Sequence, residues 1–205
     1  KAMRNGIIIT VLFACLIGSS LLFYAGWELI IVGLLCVLFA FLYTTGPYPL
    51  SYNGWGDILV IVFFGFVPVG GTYYVQALTW TTDTTIASLI CGLLIDTLLV
   101  VNNYRDREAD ARSGKRTVIV RFGEKFGSYL YLMLGMTASL LCFWFLFEGH
   151  LYAALLPLLY LIPHFLTWKR MVRIHSGKKL NSILGETSRN MLLMGILLSI
   201  GFFLN

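Results

Sequence analysis

The sequence predicts an all-α, polytopic transmembrane helical bundle, and three observations carry that prediction. Apolar residues make up 58% of the 205 residues, only 12% are charged, and the mean hydropathy is +0.80; a soluble domain carries roughly twice that charge. The apolar residues fall into about seven runs, Gly6–Phe23, Trp27–Thr44, Ile58–Trp80, Thr84–Val101, Phe126–Phe147, Leu151–Trp168 and Asn190–Leu204. Each approaches the roughly 20 residues that cross a hydrocarbon core as a helix, the form that satisfies its own backbone in lipid. Finally, all 15 Lys and Arg fall at one set of alternate connections. The opposite turns, near Glu28, Asp83 and Glu148, carry acids and no base. Such segregation marks the basic side as cytoplasmic, and a net charge of +5 distributed this way does not indicate nucleic acid.

Taken in order, the first span follows Lys1 and Arg4, as a signal peptide would. Six more spans follow and no clear small-residue cleavage site appears, so it reads as a span. The second leads into a base-free inner connection, Thr45–Gly56. In the third, "FVPVGG" places Pro68, Gly70 and Gly71 within the apolar run, predicting a kink or a close helix contact. The fourth runs from Thr84 out of the bilayer to about Arg112, and the inner segments Asn102–Lys125 and Lys169–Arg189 are long. Long connections on one face of a bundle locate function there. In the sixth, His164 beside Pro163 has no second histidine at ligand spacing, so a packed polar residue is expected and zinc is not. Cys15, Cys36, Cys91 and Cys142 all lie in apolar runs without a CxxC pair, which predicts buried, reduced, space-filling thiols.

The end of the fourth span, "VVNNYRDREADARSGKRT", holds most of the chemistry. Asn102, Asp106 and Asp110 are spaced i, i+4, i+8, and Asn103 lies about 60° from Asp106 at 100° per residue, so they form one stripe of oxygens. Arg105, Glu108 and Arg112 fall on another face, spaced to pair with one another. A solvated helix end explains the second face well. It explains poorly two Asp and an Asn stacked on one side with no base among the residues of that stripe. A cation offsets the repulsion of carboxylates one turn apart, and oxygen ligands without Cys or His select a hard ion, Mg²⁺ first. Lys115, Arg116, Arg121 and Lys125 follow, and metal beside bases is what a diphosphate requires. "SGKRT" is not a P-loop, since position 109 is Ala and Arg116 separates Lys115 from Thr117. Asp96 lies two turns deeper, near the face of Asn103. It is protonated, hydrogen-bonded to Thr97 or Thr85, or part of the polar site; all three readings stay open.

"NNYRDREADARSGKRT" resembles the second aspartate-rich motif, DxxxDxxxGxxT, of the UbiA-type intramembrane prenyltransferases, with Asp106, Asp110, Gly114 and Thr117 in its four positions. The "NNYRD…GKRT" version is similar to the branch acting on 1,4-dihydroxy-2-naphthoate in menaquinone biosynthesis. "YTTGPYPLSYNGWGD", the following "FFGFVPVGGTYYVQ" and "LNSILGETSRNMLLMGILLSIG" agree, so the resemblance runs from about Phe41 to the end. It implies a single integral-membrane domain over 1–205 within a nine-span fold whose cavity opens to the cytoplasm and to lipid. It implies a bacterial cytoplasmic membrane location, an Mg²⁺ cofactor, a polyprenyl diphosphate donor and an aromatic acceptor, with no protein partner. The acceptor's carboxylate would leave as CO₂ in this branch, giving demethylmenaquinone. Asp106 and Asp110 would hold Mg²⁺ through the diphosphate, with Asn102 and Asn103 completing the stripe. Lys115 and Arg116 are either diphosphate partners or topology charges. Tyr43 and Asp57 match the loop that covers the family's site, although that loop has no base here. The family's first aspartate motif is absent from the chain, which begins at Lys1. The expectation is a piece lacking about two spans and inactive alone. Other readings are an acceptor such as 4-hydroxybenzoate or homogentisate, and a transporter using Asp96, Asp106 and Asp110 as a cation path. The paired broken helices of related halves that mark many transporters do not appear as an internal repeat.

Overall fold

A computed structural model describes residues 2–204. Seven long helices and one short one account for most of them: α1 (Ala2–Ala25), α2 (Glu28–Thr44), α3 (Gly56–Ala77), α4 (Thr82–Arg112), α5 (Val118–Phe122), α6 (Glu124–Phe147), α7 (Leu151–Ile174) and α8 (Lys178–Phe203). Six are long and apolar enough to cross a membrane, and α2 is a shorter apolar helix. At 1.5 Å per residue even its 17 residues span roughly 26 Å, close to a hydrocarbon core.

Polarity is turned inside out relative to a soluble protein. Leu12, Phe13, Leu34, Phe64, Ile162 and Leu192 are exposed, whereas Ser88, Asp96, Thr97, Ser139, His164, Thr187 and Asn190 are buried. Without a hydrophobic drive between helices in lipid, small residues and polar bonds do the packing. α4 lies at the centre, against α3 on one side and α6 on the other. A Cβ on Gly65 would meet the Ser88 carbonyl at 2.5 Å, and one on Gly92 would meet the Ile61 backbone at 2.8 Å, so α3 and α4 cross antiparallel and nearly in backbone contact. Tyr131 on α6 shares a hydrogen bond of 3.0 Å with Thr187 on α8. On α8, Asn190 Nδ2 donates to Thr167 Oγ1 of α7 at 2.9 Å.

His164 is the packed polar residue its sequence suggests: fully buried, stacked on Tyr131, with Nδ1 at 2.9 Å from the Tyr160 hydroxyl and Nε2 at 3.2 Å from the Leu132 carbonyl. The "FVPVGG" segment does interrupt the regular α ladder of α3. Residues Ile61–Gly70 widen into a π-helical stretch around Pro68, whose missing N–H and ring disturb the α ladder. Gly70 is closed by the Trp80 ring, while Gly71 faces open space.

Two expectations need correction. The last span does not start at Asn190. α8 begins twelve residues earlier, at Lys178, and α7 continues to Ile174, so most of Lys169–Arg189 is helix rather than loop. The polar residues that hide this in a hydropathy profile are the ones that bond between helices: Arg170 to Glu186 at 2.6 Å, and Thr167 to Asn190. All four cysteines are free thiols, but only Cys142 is buried; Cys36 and Cys91 are half-buried and Cys15 is exposed on a helix that packs loosely against the rest. An apolar run in a membrane protein identifies a span, and lipid contact satisfies it as well as burial does.

Candidate active site

α4 carries the stripe and is longer than the bilayer needs. Thr81 caps its start, the hydroxyl accepting from the Thr84 N–H at 3.1 Å. Its 31 residues extend roughly 46 Å, so the turns beyond Val101 project past an apolar core of about 30 Å. The helix stops at Gly114 (φ +78°), a left-handed position that suits glycine. There the Gly114 N–H bonds to the Ala111 carbonyl at 3.2 Å and the Lys115 N–H to the Asp110 carbonyl at 2.9 Å, the two bonds of a Schellman ending. The reversal returns Lys115 onto its own helix, where Nζ lies 3.2 Å from Asp110 Oδ2. Thr117 then caps α5, accepting from the Val120 N–H at 3.3 Å. The spacing of Asp110, Gly114 and Thr117 thus has a local mechanical meaning: acid, reversal, cap.

The pairing of charges differs from the sequence expectation. Arg105 does not pair with Glu108 or Arg112. It grips the adjacent Asp106 with two bonds, Nε to Oδ1 at 2.8 Å and Nη2 to Oδ2 at 2.6 Å, and donates Nη1 to Asn181 Oδ1 on α8 at 2.9 Å. That bidentate bond holds the Asp106 carboxyl below the usual carboxylate range. Both stripe carboxylates therefore have bases, at positions i−1 and i+5, where helical-face counting does not search. Glu124 gathers a second cluster, accepting from Tyr104 at 2.9 Å, Arg107 at 3.1 Å and His175 at 2.5 Å, which ties α4 to the start of α6 and the end of α7.

The segment from Thr45 to Trp55 closes over this helix end. Ser51 Oγ donates to the Tyr43 carbonyl at 2.5 Å, the Arg116 N–H donates to the Tyr52 carbonyl at 2.7 Å, and Arg121 Nη2 donates to the Asn53 carbonyl at 2.7 Å. Beneath it lies a polar cavity of about 10 Å³, lined by Tyr43, Ser51, Gly54, Gly56, Asp57, Asn103, Lys115 and Thr117. On the other side of Tyr43 an apolar chamber of about 520 Å³ opens between α2 and α3, walled by Cys36, Phe39, Ala40, Leu59, Val60, Phe63 and Phe64.

Of the residues singled out from sequence, Tyr43, Asp57, Asn103 and Lys115 meet around this cavity. Asp106, Asp110 and the half-buried Asn102 are outside the lining; Asp110 is joined to it through Lys115, and Asp106 lies within the field of Lys115. Arg116 contributes its backbone to the lid and leaves an exposed side chain. Ser51, Gly54 and Gly56 were not anticipated; their signal is the cluster of small residues in "PLSYNGWG". Among the described residues no group of three or more His, Cys, Asp or Glu is assembled to enclose a metal. Asp106 and Asp110 fit a hard divalent ion of the kind completed by substrate phosphates, which needs only one or two protein carboxylates.

The chain is similar to named proteins along its whole length. It is 33% identical to the 1,4-dihydroxy-2-naphthoate octaprenyltransferase of Escherichia coli (strain K12), with 100% of the chain aligned to 69% of that protein. The Haemophilus influenzae protein of the same name gives 33% identity, with 100% of the chain and 68% of the relative aligned. The Mycobacterium tuberculosis one is 43% identical over 119 residues, 58% of the chain and 40% of the relative. No solved structure matches. The UbiA prenyltransferase family model matches residues 2–202, nearly the whole of this helical frame. On these grounds the chain belongs to the UbiA prenyltransferase family.

Proposed function

We propose that the protein transfers a polyprenyl group from a polyprenyl diphosphate to 1,4-dihydroxy-2-naphthoate, releasing the acceptor's carboxylate as CO₂ and leading to demethylmenaquinone. The observation that carries this reading is the junction at Tyr43, where a polar cavity and an apolar chamber share one wall. A prenyl diphosphate needs both environments within one bond of each other. Similarity to octaprenyltransferases of that name supports the choice of acceptor.

The geometry supports the following roles. Asp106 and Asp110 would hold Mg²⁺ through the diphosphate, exchanging their contacts with Arg105 and Lys115 for the ion. Mg²⁺, when bound, neutralises charge that builds on the leaving diphosphate. Lys115, freed from Asp110, is placed to follow the phosphate oxygens, and Asn103 donates from the cavity wall. Arg105 keeps the helix end oriented through Asn181. Phe39, Phe63 and Tyr43 line the apolar chamber, where their aromatic faces would stabilise positive charge on the allylic carbon and exclude water. The lid from Thr45 to Trp55 would cover the reacting ends, and the one-sided bases support a site on the cytoplasmic side of a bacterial inner membrane.

The test is transfer by the purified full-length protein in lipid nanodiscs. Labelled polyprenyl diphosphate is offered with 1,4-dihydroxy-2-naphthoate, 4-hydroxybenzoate or homogentisate, with and without chelator. Product from the naphthoate alone, with stoichiometric CO₂ and diphosphate and none after chelation, is expected. Transfer to a different acceptor would revise the substrate; metal-independent transfer would overturn the site.

A further inference from the structure

The register that packs α3 on α4 continues past the glycines. Gly65 lies on Ser88 and Gly92, and one turn further Gly92 lies on Ile61. Another step of four residues along each helix, in opposite directions, brings Asp57 opposite Asp96. Their charges act on one another, and the Tyr43 phenol lies within the field of both. Asp96 is 1% exposed, and its Oδ1 has no hydrogen-bond partner; Asp57 Oδ1 is buried and equally unpartnered. The readings left open for Asp96 narrow here, because Thr97 donates to the Leu94 carbonyl at 2.5 Å and Thr85 to the Thr81 carbonyl at 3.2 Å.

Paired acids with a purely structural purpose would end on donors. Two buried carboxyl oxygens without donors, on facing helices and within each other's field, are costly unless a proton or a ligand comes between them. The polar cavity reaches Asp57 but stops short of Asp96, so one acid faces the substrate side and the other backs it. Its room of about 10 Å³ suits one water-sized group, which is also the size of a hydroxyl. The Tyr43 hydroxyl stands at the same spot, 3.5 Å from where a Cβ on Gly56 would be.

We infer that Asp57 and Asp96 hold a single proton between them and that Asp57 is the base for a ring hydroxyl of the aromatic acceptor, with Asp96 as its positioning residue. This rests on the prenyl-transfer reading above. The hydroxyl O–H bond breaks and its proton passes to Asp57. The electron-rich ring forms a C–C bond to the allylic carbon, whose C–O bond breaks with its electron pair leaving on the diphosphate. Loss of CO₂ returns a bonding pair to the ring, and the proton goes back to the product's oxygen. No oxidant or reductant is needed.

Two measurements test it in the full-length protein. In infrared spectra of nanodisc samples, a carboxylic-acid band is expected that responds to isotope-labelled Asp and is shifted or lost in both Asp57→Asn and Asp96→Asn. In steady-state assays Asp57→Asn should lower kcat about 10²–10³-fold, as loss of a general base does, with KM for polyprenyl diphosphate unchanged. Asp96→Asn should lower it about tenfold, and Asp57→Glu should recover part of the Asn loss. Should either variant fail to fold, the wild type still decides, since adding the acceptor without lipid diphosphate should intensify the band. No carboxylic-acid band, kcat within twofold of wild type for Asp57→Asn, or an equal rise in KM for the diphosphate would overturn the assignment. Wild-type protein that prenylates no aromatic acceptor overturns the reading beneath it; wild-type turnover with unaffected variants overturns only this inference.

Discussion

Under the proposed function Asp106 and Asp110 are the side chains on which diphosphate handling would depend, and each is held by one base, Arg105 and Lys115. Asp106→Asn or Asp110→Asn should reduce turnover by about 10²-fold or more, since each removes charge stabilisation used at the leaving group. Helix content by circular dichroism should not change, because both lie on the projecting end of α4 where no span depends on them. Lys115→Ala should raise KM for the polyprenyl diphosphate while leaving that for the acceptor alone. Gly114→Val tests the reversal itself: a β-branched residue at φ +78° costs on the order of 1–2 kcal/mol and would detach Lys115 from Asp110. Activity should fall with a melting temperature within a few degrees of wild type, measured by thermal scanning of the purified protein. The stripe was legible in sequence because it obeys a helical period. Its partners were not, because adjacency at Arg105 and chain reversal at Gly114 lie outside any i, i+3, i+4 rule.

At the scale of elements, the α3–α4 contact sets the depth of the site. Gly65→Leu would drive a side chain into the Ser88 carbonyl and the Gly92 backbone, an overpacking cost of about 1–3 kcal/mol. It would also part Asp57 from Asp96. Reduced thermal stability together with lost activity is expected, whereas Gly71→Leu, which meets open space, should leave both near wild type. The sequence singled out Gly70 and Gly71 by their proximity to Pro68, yet Gly65 makes the helix contact. The legible signal for it was Ser88, Gly92 and Asp96 in steps of four, a small-residue stripe that only matters once a partner helix is known. The early start of α8 was hidden for a related reason. Hydropathy registers the cost of polar residues in lipid and cannot see that Asn181, Glu186, Thr187 and Asn190 are satisfied by neighbouring helices.

For the whole molecule, seven apolar runs and one-sided bases were enough to give an all-helical bundle with its basic ends together. Arg4 on α1, Arg112 on α4, Lys125 on α6, Arg173 on α7 and Lys179 on α8 all stand at alternate ends of successive helices. The two cavities meeting at Tyr43 were not legible, because a void is set by what neighbouring helices leave unfilled. The sidedness can be measured: a membrane-impermeant thiol reagent applied to right-side-out cells should label a cysteine at position 149 and spare one at position 113. The central claim, that carboxylates on the projecting edge of α4 bind a divalent ion which captures a lipid diphosphate, is tested most directly by binding of a fluorescent polyprenyl diphosphate to the full-length protein in nanodiscs as Mg²⁺ is titrated. Binding that rises with Mg²⁺, vanishes on chelation and is lost in the Asp106→Asn, Asp110→Asn double variant is predicted. Equal binding with and without the ion, or undiminished binding in that variant, would contradict it.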